Sequence, residues 1–92
     1  MTESANAEMT MPDWLAGRRG QIERGVQPET RFVVINGEPL YKLEVRPAVG
    51  RYMCAVTETV NGRRLDDGTA TFASFGEALA GGLERLRAKL GW

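Results

Sequence analysis

The sequence predicts an α+β fold, a four-stranded antiparallel meander sheet with a C-terminal helix packed on one face and a short N-terminal helix. Three observations carry the prediction. Ser74 stands three residues before Glu77, and Phe75, Leu79, Gly82, Leu83, Leu86 and Leu90 then recur at steps of three and four, so a helix opens there with one apolar stripe. Asn36-Gly37, which follows a run rich in Val, Ile and Phe, and Asn61-Gly62, which repeats the dipeptide, mark hairpins, because both turn positions need positive φ. The helix must bury its stripe, and only the strands before it supply a surface.

The 92 residues leave room for one core and no more. Residues 11–92 are expected to form a single α+β domain, and residues 1–10, MTESANAEMT, a disordered tail without apolar period. Twelve Lys and Arg cancel twelve Asp and Glu, so no global field draws in nucleic acid or an anionic membrane. The lone Cys54 forbids an internal disulfide and fits a reducing compartment, the cytoplasm by default. No apolar run is long enough to span a bilayer, so no membrane association is expected.

In chain order, Met11, Trp14, Leu15 and Ile22 have helical spacing, with Thr10 placed to cap. They give a helix of two or three turns within residues 11–24, weakened by Gly17 and Gly20. Arg18-Arg19 reads as its solvated face in preference to a phosphate contact. Residues 25–29 form a loop. A strand from Arg31 to Asn36 turns at Asn36-Gly37 into a second, and a two-residue turn sets Phe32 against Tyr41 and Val34 against Pro39. One side then carries Phe32, Val34, Tyr41, Leu43 and Val45 and is expected to meet the helix. Pro39 cannot donate to a ladder, so its position faces outward or the strand is an edge. A third strand runs from Arg51 to Val60 and a fourth ends at Phe72. A bulge or widened loop at Asp66-Asp67-Gly68 brings Cys54, Val56, Ala70 and Phe72 to one side. Gly91 is placed to end the helix in the left-handed conformation, with Trp92 folding back. The Gly81-Gly82 pair costs the helix about 2 kcal/mol against alanine, which implies close approach of helix and sheet.

The residues give little support to catalysis. The chain has no His, which removes the commonest general base and metal ligand. Cys54 lies mid-strand between Met53 and Ala55, where a buried structural thiol is the natural reading. Asp66-Asp67-Gly68 lacks the alternating oxygen ligands of a calcium loop. No cofactor or metal site is expected, and a binding role follows.

Arg51–Leu79, with an Asn-Gly turn and the segment Thr71-Phe72-Ala73-Ser74-Phe75-Gly76-Glu77-Ala78, resembles the AP2-like arm-type DNA-binding domains of phage integrases. That resemblance implies three strands followed by a helix, with the sheet laid in a major groove. Residues 56–79, with Val56-Thr57-Glu58-Thr59-Val60-Asn61-Gly62-Arg63-Arg64 and Phe72-Ala73-Ser74-Phe75-Gly76-Glu77-Ala78-Leu79, resemble a family of small phage-encoded anti-CRISPR proteins. Those proteins inhibit the type I-F surveillance complex, and the resemblance implies a four-stranded sheet with a helix that coats Cas backbone subunits. Val34 and Thr57 stand where that family has a binding aromatic and an acidic residue.

Zero net charge favours the second resemblance, since each phosphate contact needs a cation. The expectation is a non-catalytic, cytoplasmic protein-binding module, encoded by a phage or mobile element, that inhibits a host nucleoprotein such as a CRISPR effector complex. The alternative is a small nucleic-acid-binding domain of the integrase-arm type. The expected working surface is the sheet side opposite the helix, with Arg31, Val33, Ile35, Leu40, Lys42 and Arg46, extended by Arg63 and Arg64. Val33, Ile35 and Leu40 would there form an exposed apolar patch ringed by charge. The N-terminal helix or a second copy, giving a homodimer, are the other occupants the sequence allows.

Overall fold

In the computed structural model, which describes residues 11–66 and 68–92, the chain runs through six elements. They are α1 (Asp13–Ala16), β1 (Gly20–Arg24), β2 (Thr30–Ile35), β3 (Glu38–Ala48), β4 (Arg51–Glu58) and α2 (Phe75–Leu90). The four strands form one antiparallel sheet in the order β1-β2-β3-β4. The architecture is the expected α+β one, though one of its four strands, β1, is not where the sequence put it, and the strand expected to end at Phe72 does not form. The tail expected at residues 1–10, with the Thr10 cap, and Asp67 lie outside the described residues.

Residues 20–24 are a strand and not the end of a helix. Helix α1 stops after one turn at Gly17, and Arg19, at φ 59°, swings the chain into β1. Gly20 lies so close to Leu15 that a Cβ there would overlap the leucine side chain. Leu15 and Ile22, seven apart, share a helical face on paper, but they reach the same core from a helix and a strand. At the other end the expected strand up to Phe72 does not form among the described residues of 63–72. That segment flanks β4 through isolated bridges, Thr57 to Arg64 and Tyr52 to Phe72. Leu65 N–H donates to Val56 O at 2.7 Å, and the Val56 N–H donates to the Asp66 carboxylate at 2.8 Å. A side chain thus replaces the ladder partner a strand would have supplied. Asn61-Gly62 closes a wider loop, Thr59–Gly62, with Gly62 N–H donating to Glu58 O at 2.8 Å.

The first hairpin corrects the expected core face. Asn36 and Gly37, at φ 54° and 84°, make the tight turn and set Ile35 against Glu38 and Val34 against Pro39. The pairing then jumps to Val33 against Tyr41, leaving Leu40 as a bulge. Every position beyond it changes side. Tyr41, Leu43 and Val45 therefore share a face with Arg31, Val33 and Ile35, while Phe32 and Val34 lie on the other. The core under the helix joins Leu15, Val33, Leu43, Val45, Cys54 and Val56 to Ala78, Leu79, Leu83 and Leu86. Phe72 packs against it, on the side of Cys54 and Val56.

Helix α2 has the ends its sequence specifies. Glu77 N–H donates to Ser74 Oγ at 3.1 Å, and the Glu77 carboxylate accepts from Ala73 N–H at 3.2 Å. Gly91, at φ 74°, lets Trp92 N–H donate to Arg87 O at 3.0 Å, a Schellman ending. The Trp92 ring then meets Trp14, centroids 5.9 Å apart, under the Arg18 guanidinium at 4.3 Å. In mid-helix a Cβ on Gly82 would stand 2.5 Å from Cys54 Sγ, and one on Gly81 would overlap the Phe72 ring. Close approach explains both glycines. Burying Leu79, Leu83 and Leu86 contributes about 1.5–3 kcal/mol each, which outweighs the roughly 2 kcal/mol the glycine pair costs the helix.

Gly82→Ala should therefore destabilise the fold by about 1–3 kcal/mol in chemical denaturation, although alanine is the better helix former. In a Cys54→Ala background the same change should cost clearly less, because the sulfur it strikes is gone. Equal losses in both backgrounds would place the constraint elsewhere. Asp66 gives a second expectation. Arg64 donates to both its oxygens, at 2.7 and 2.8 Å, and with the Val56 N–H holds its pKa down at about 2. A depressed carboxylate stabilises above the ordinary carboxylate range and loses that contribution as pH falls through about 2. Asp66→Asn should cost about 1 kcal/mol or more at neutral pH, with the difference in melting temperature closing as the pH approaches that value.

Candidate protein-binding face

The eight residues expected to form one surface are divided among three places. Arg31 is on the helix side and buried; its Nη1 donates to Pro28 O at 2.7 Å and Thr30 O at 3.0 Å, and its guanidinium lies 5.4 Å over the Phe75 ring. Val33 is fully buried in the core and Ile35 packs against it. The apolar patch assigned to the outer side is therefore interior, and the bulge at Leu40 is the reason. Leu40 is itself partly exposed at that bulge. Lys42 and Arg46 do lie opposite the helix. Arg63 and Arg64 belong to the loop beyond β4, Arg63 lying 4.0 Å from Glu58 and Arg64 bound to Asp66.

The side opposite the helix is built from other residues. The register sets Glu23, Phe32, Lys42 and Thr57 in one row across the four strands, with Thr30, Glu44 and Ala55 in the next and Arg46 beside Met53. Val34 adjoins Phe32 on the same side. Val34 and Ala55 are only 5% and 3% exposed, while Phe32 and Met53 are half-buried. Both helices pack on the opposite side, since Leu15 of α1 and the leucines of α2 belong to the core that contains Val33 and Leu43. No helix or strand among the described residues covers this face. Its charges alternate in sign: Glu23 and Lys42 flank Phe32, and Arg46 donates to Glu44 at 2.9 Å. The signal for it lay in the Pro39-Leu40 step after a tight turn, which periodicity alone does not read as a bulge.

A second feature lies beside α2. Arg64, Arg85 and Lys89 surround a groove of about 290 Å³ that also contains Asp66. Its charge excess is positive, but Asp66 neutralises Arg64 and stays ionised at any physiological pH.

Cys54 is not placed for chemistry. Burial, with the Asp66 charge adding to it, pushes its thiol up to about 12, so it is protonated at neutral pH. Among the described residues no group of three or more His, Cys, Asp or Glu is arranged to hold a metal ion, and no helix is long and apolar enough to cross a membrane. Comparison with family models, with curated proteins and with solved structures finds no match to the chain.

Proposed function

We propose that this chain is a non-catalytic module that binds a protein partner through the uncovered face of its sheet. The observation that carries the reading is the composition of that face: half-buried Phe32 on β2 and Met53 on β4, with Val34 and Ala55 buried on the same side and the carboxylates of Glu23 and Glu44 interspersed with the cations of Lys42 and Arg46. Aromatic residues and methionine are enriched at the centres of protein interfaces, and a rim of mixed sign fits a protein surface of complementary pattern. A nucleic-acid surface needs an excess of cations facing phosphates. Here Glu23 and Glu44 offset Lys42 and Arg46, and the Arg46 guanidinium is already held by Glu44. The class of partner to test first is a host nucleoprotein such as a type I-F CRISPR effector complex, on the resemblance of residues 56–79. That reading places the protein in the cytoplasm as an inhibitor encoded by a phage or mobile element.

The experiment adds the purified chain to the reconstituted effector complex and measures capture of target DNA, beside a mobility-shift assay of the chain with duplex DNA alone. Inhibition is expected, with no shift of free DNA. Lys42→Glu combined with Phe32→Ser should weaken inhibition by about 10- to 100-fold in a variant that keeps its fold. Inhibition unchanged by these substitutions would remove the open face from the mechanism. A salt-dependent shift of duplex DNA by the chain alone would favour the nucleic-acid-binding alternative.

A further inference from the structure

Two tight turns of this chain share one backbone geometry and differ in one residue. Asn36-Gly37 has φ 54° and 84°, and Val49-Gly50 has φ 51° and 76°. Asparagine enters the left-handed region readily, whereas a β-branched side chain there is strained. Val49 recovers nothing from its own fold, because its side chain is fully exposed, at 102%. Asparagine or glycine would serve the turn better, so the apolar tip answers to something outside the monomer.

The hairpin that carries Val49 projects past its neighbour. The last pair between β2 and β3 is Thr30 with Glu44, while β3 and β4 stay paired out to Ala48 and Arg51. Val45 N–H donates to Glu29 O at 3.0 Å on the exposed side of this arm. The next outward position belongs to Pro47, which has no N–H, so the ladder cannot grow there. What remains is a groove of about 310 Å³ lined by Val45, Pro47, Tyr52 and Phe75, together with Glu29 and the Glu44–Arg46 pair, so its carboxylates outnumber its cations. Glu29 makes no ion pair among the described residues.

We propose that two copies of this chain associate about a twofold axis through this end, Val49 of each copy entering the Tyr52–Phe75 groove of the other. A tip and a groove on the same hairpin are self-complementary, which is what an isologous contact requires. Charge is complementary as well. Arg51 stands beside the tip, bonded to Thr71 Oγ1 at 2.9 Å, and on docking its charge approaches Glu29 at the partner's rim. The groove borders the open sheet face at Glu44 and Arg46, but the contact is made by Val49, Tyr52 and Phe75, so the inference does not depend on the function proposed above.

Sedimentation equilibrium on the wild-type chain, from micromolar to millimolar concentration at low salt, tests the proposal. The average mass should climb from 10.1 kDa towards twice that value, and added salt should reverse the climb. Val49→Asn should raise the dissociation constant about tenfold or more while raising the melting temperature, so that lost association cannot be ascribed to lost folding. Glu29→Arg should weaken the dimer, and Arg51→Glu added to it should restore much of the affinity. A wild-type chain that stays monomeric throughout, whatever else the groove accepts, overturns the proposal. So does a Val49→Asn variant that dimerises as tightly as wild type.

Discussion

Side chains alternate faces along a strand, so one residue left out of a ladder exchanges every position beyond it, and Leu40 is that residue in this sheet. The tight turn dictates the first two pairs, Ile35 with Glu38 and Val34 with Pro39. The helix asks for something incompatible with continuing that register, namely Leu43 and Val45 on the same side as Val33. A bulge satisfies both demands. Skipping one residue forfeits a ladder hydrogen bond, about 0.5–1.5 kcal/mol, whereas full burial of Val33 alone contributes about 1.5–3 kcal/mol and Ile35 gains in the same direction. The register of β2 on β3 is thus set by the core and only begun by the turn. Pro39 is tolerated because β4 has ended there: its last pair is Glu58 with Tyr41, and the Thr59 hydroxyl reaches Pro39 O at 2.5 Å.

Once the faces are fixed, the helix is held at three points. In the middle, small residues meet, with Ala78 and Gly82 on the helix and Cys54 on the sheet, so that the leucines on either side reach Leu43, Val45 and Val56. At the C-terminal end, Trp92 lies against Trp14 and beneath Arg18, which ties α1 to the last turn of α2. At the N-terminal end, Phe75 lies against Arg31. A guanidinium buried there needs partners, and the carbonyls of Pro28 and Thr30, which accept from Nη1, and the aromatic face are among them. That arrangement also fixes the 25–29 loop beside the helix N-terminus.

What could be read from the residues follows from how local each determinant is. Ser74 and Glu77, Gly91, and Asn36-Gly37 act within a few residues of themselves, and the structure has each element end where they put it. The Gly81-Gly82 pair signalled close approach without naming its partners, Phe72 and Cys54. Three features depended on contacts distant in sequence. Gly20 needs the space that Leu15 takes, Asp66 substitutes a carboxylate for a strand's carbonyl, and Leu40 is left out because the helix requires it. The same slip explains why the surface residues divided as they did. Lys42 and Arg46, beyond the bulge on β3, stayed on the outer face, while Arg31, Val33 and Ile35 on β2 were exchanged for Phe32 and Val34.

The treatment of the sheet edges narrows how such a domain can recognise anything. An open ladder invites a partner strand, but this sheet leaves little ladder to extend. The outer edge of β4 is occupied by Phe72, Leu65 and the Asp66 carboxylate. The projecting part of β3 is stopped at Pro47, which has no N–H to offer. The outer strand β1 is five residues long and ends in Glu23 and Arg24. Backbone-mediated strand addition is disfavoured at each of these places, so affinity must come from side chains standing on faces and tips. Apolar side chains that stay at least partly outside include half-buried Phe32 and Met53 on the open face, Val49 and Tyr52 at the projecting hairpin, and Val26, Leu40 and Val60 elsewhere. Because charges of both signs accompany the open face and the hairpin, long-range attraction to any one kind of polyion is weak, and a contact made at either would depend on the fit of its apolar side chains with the short-range pairing around them.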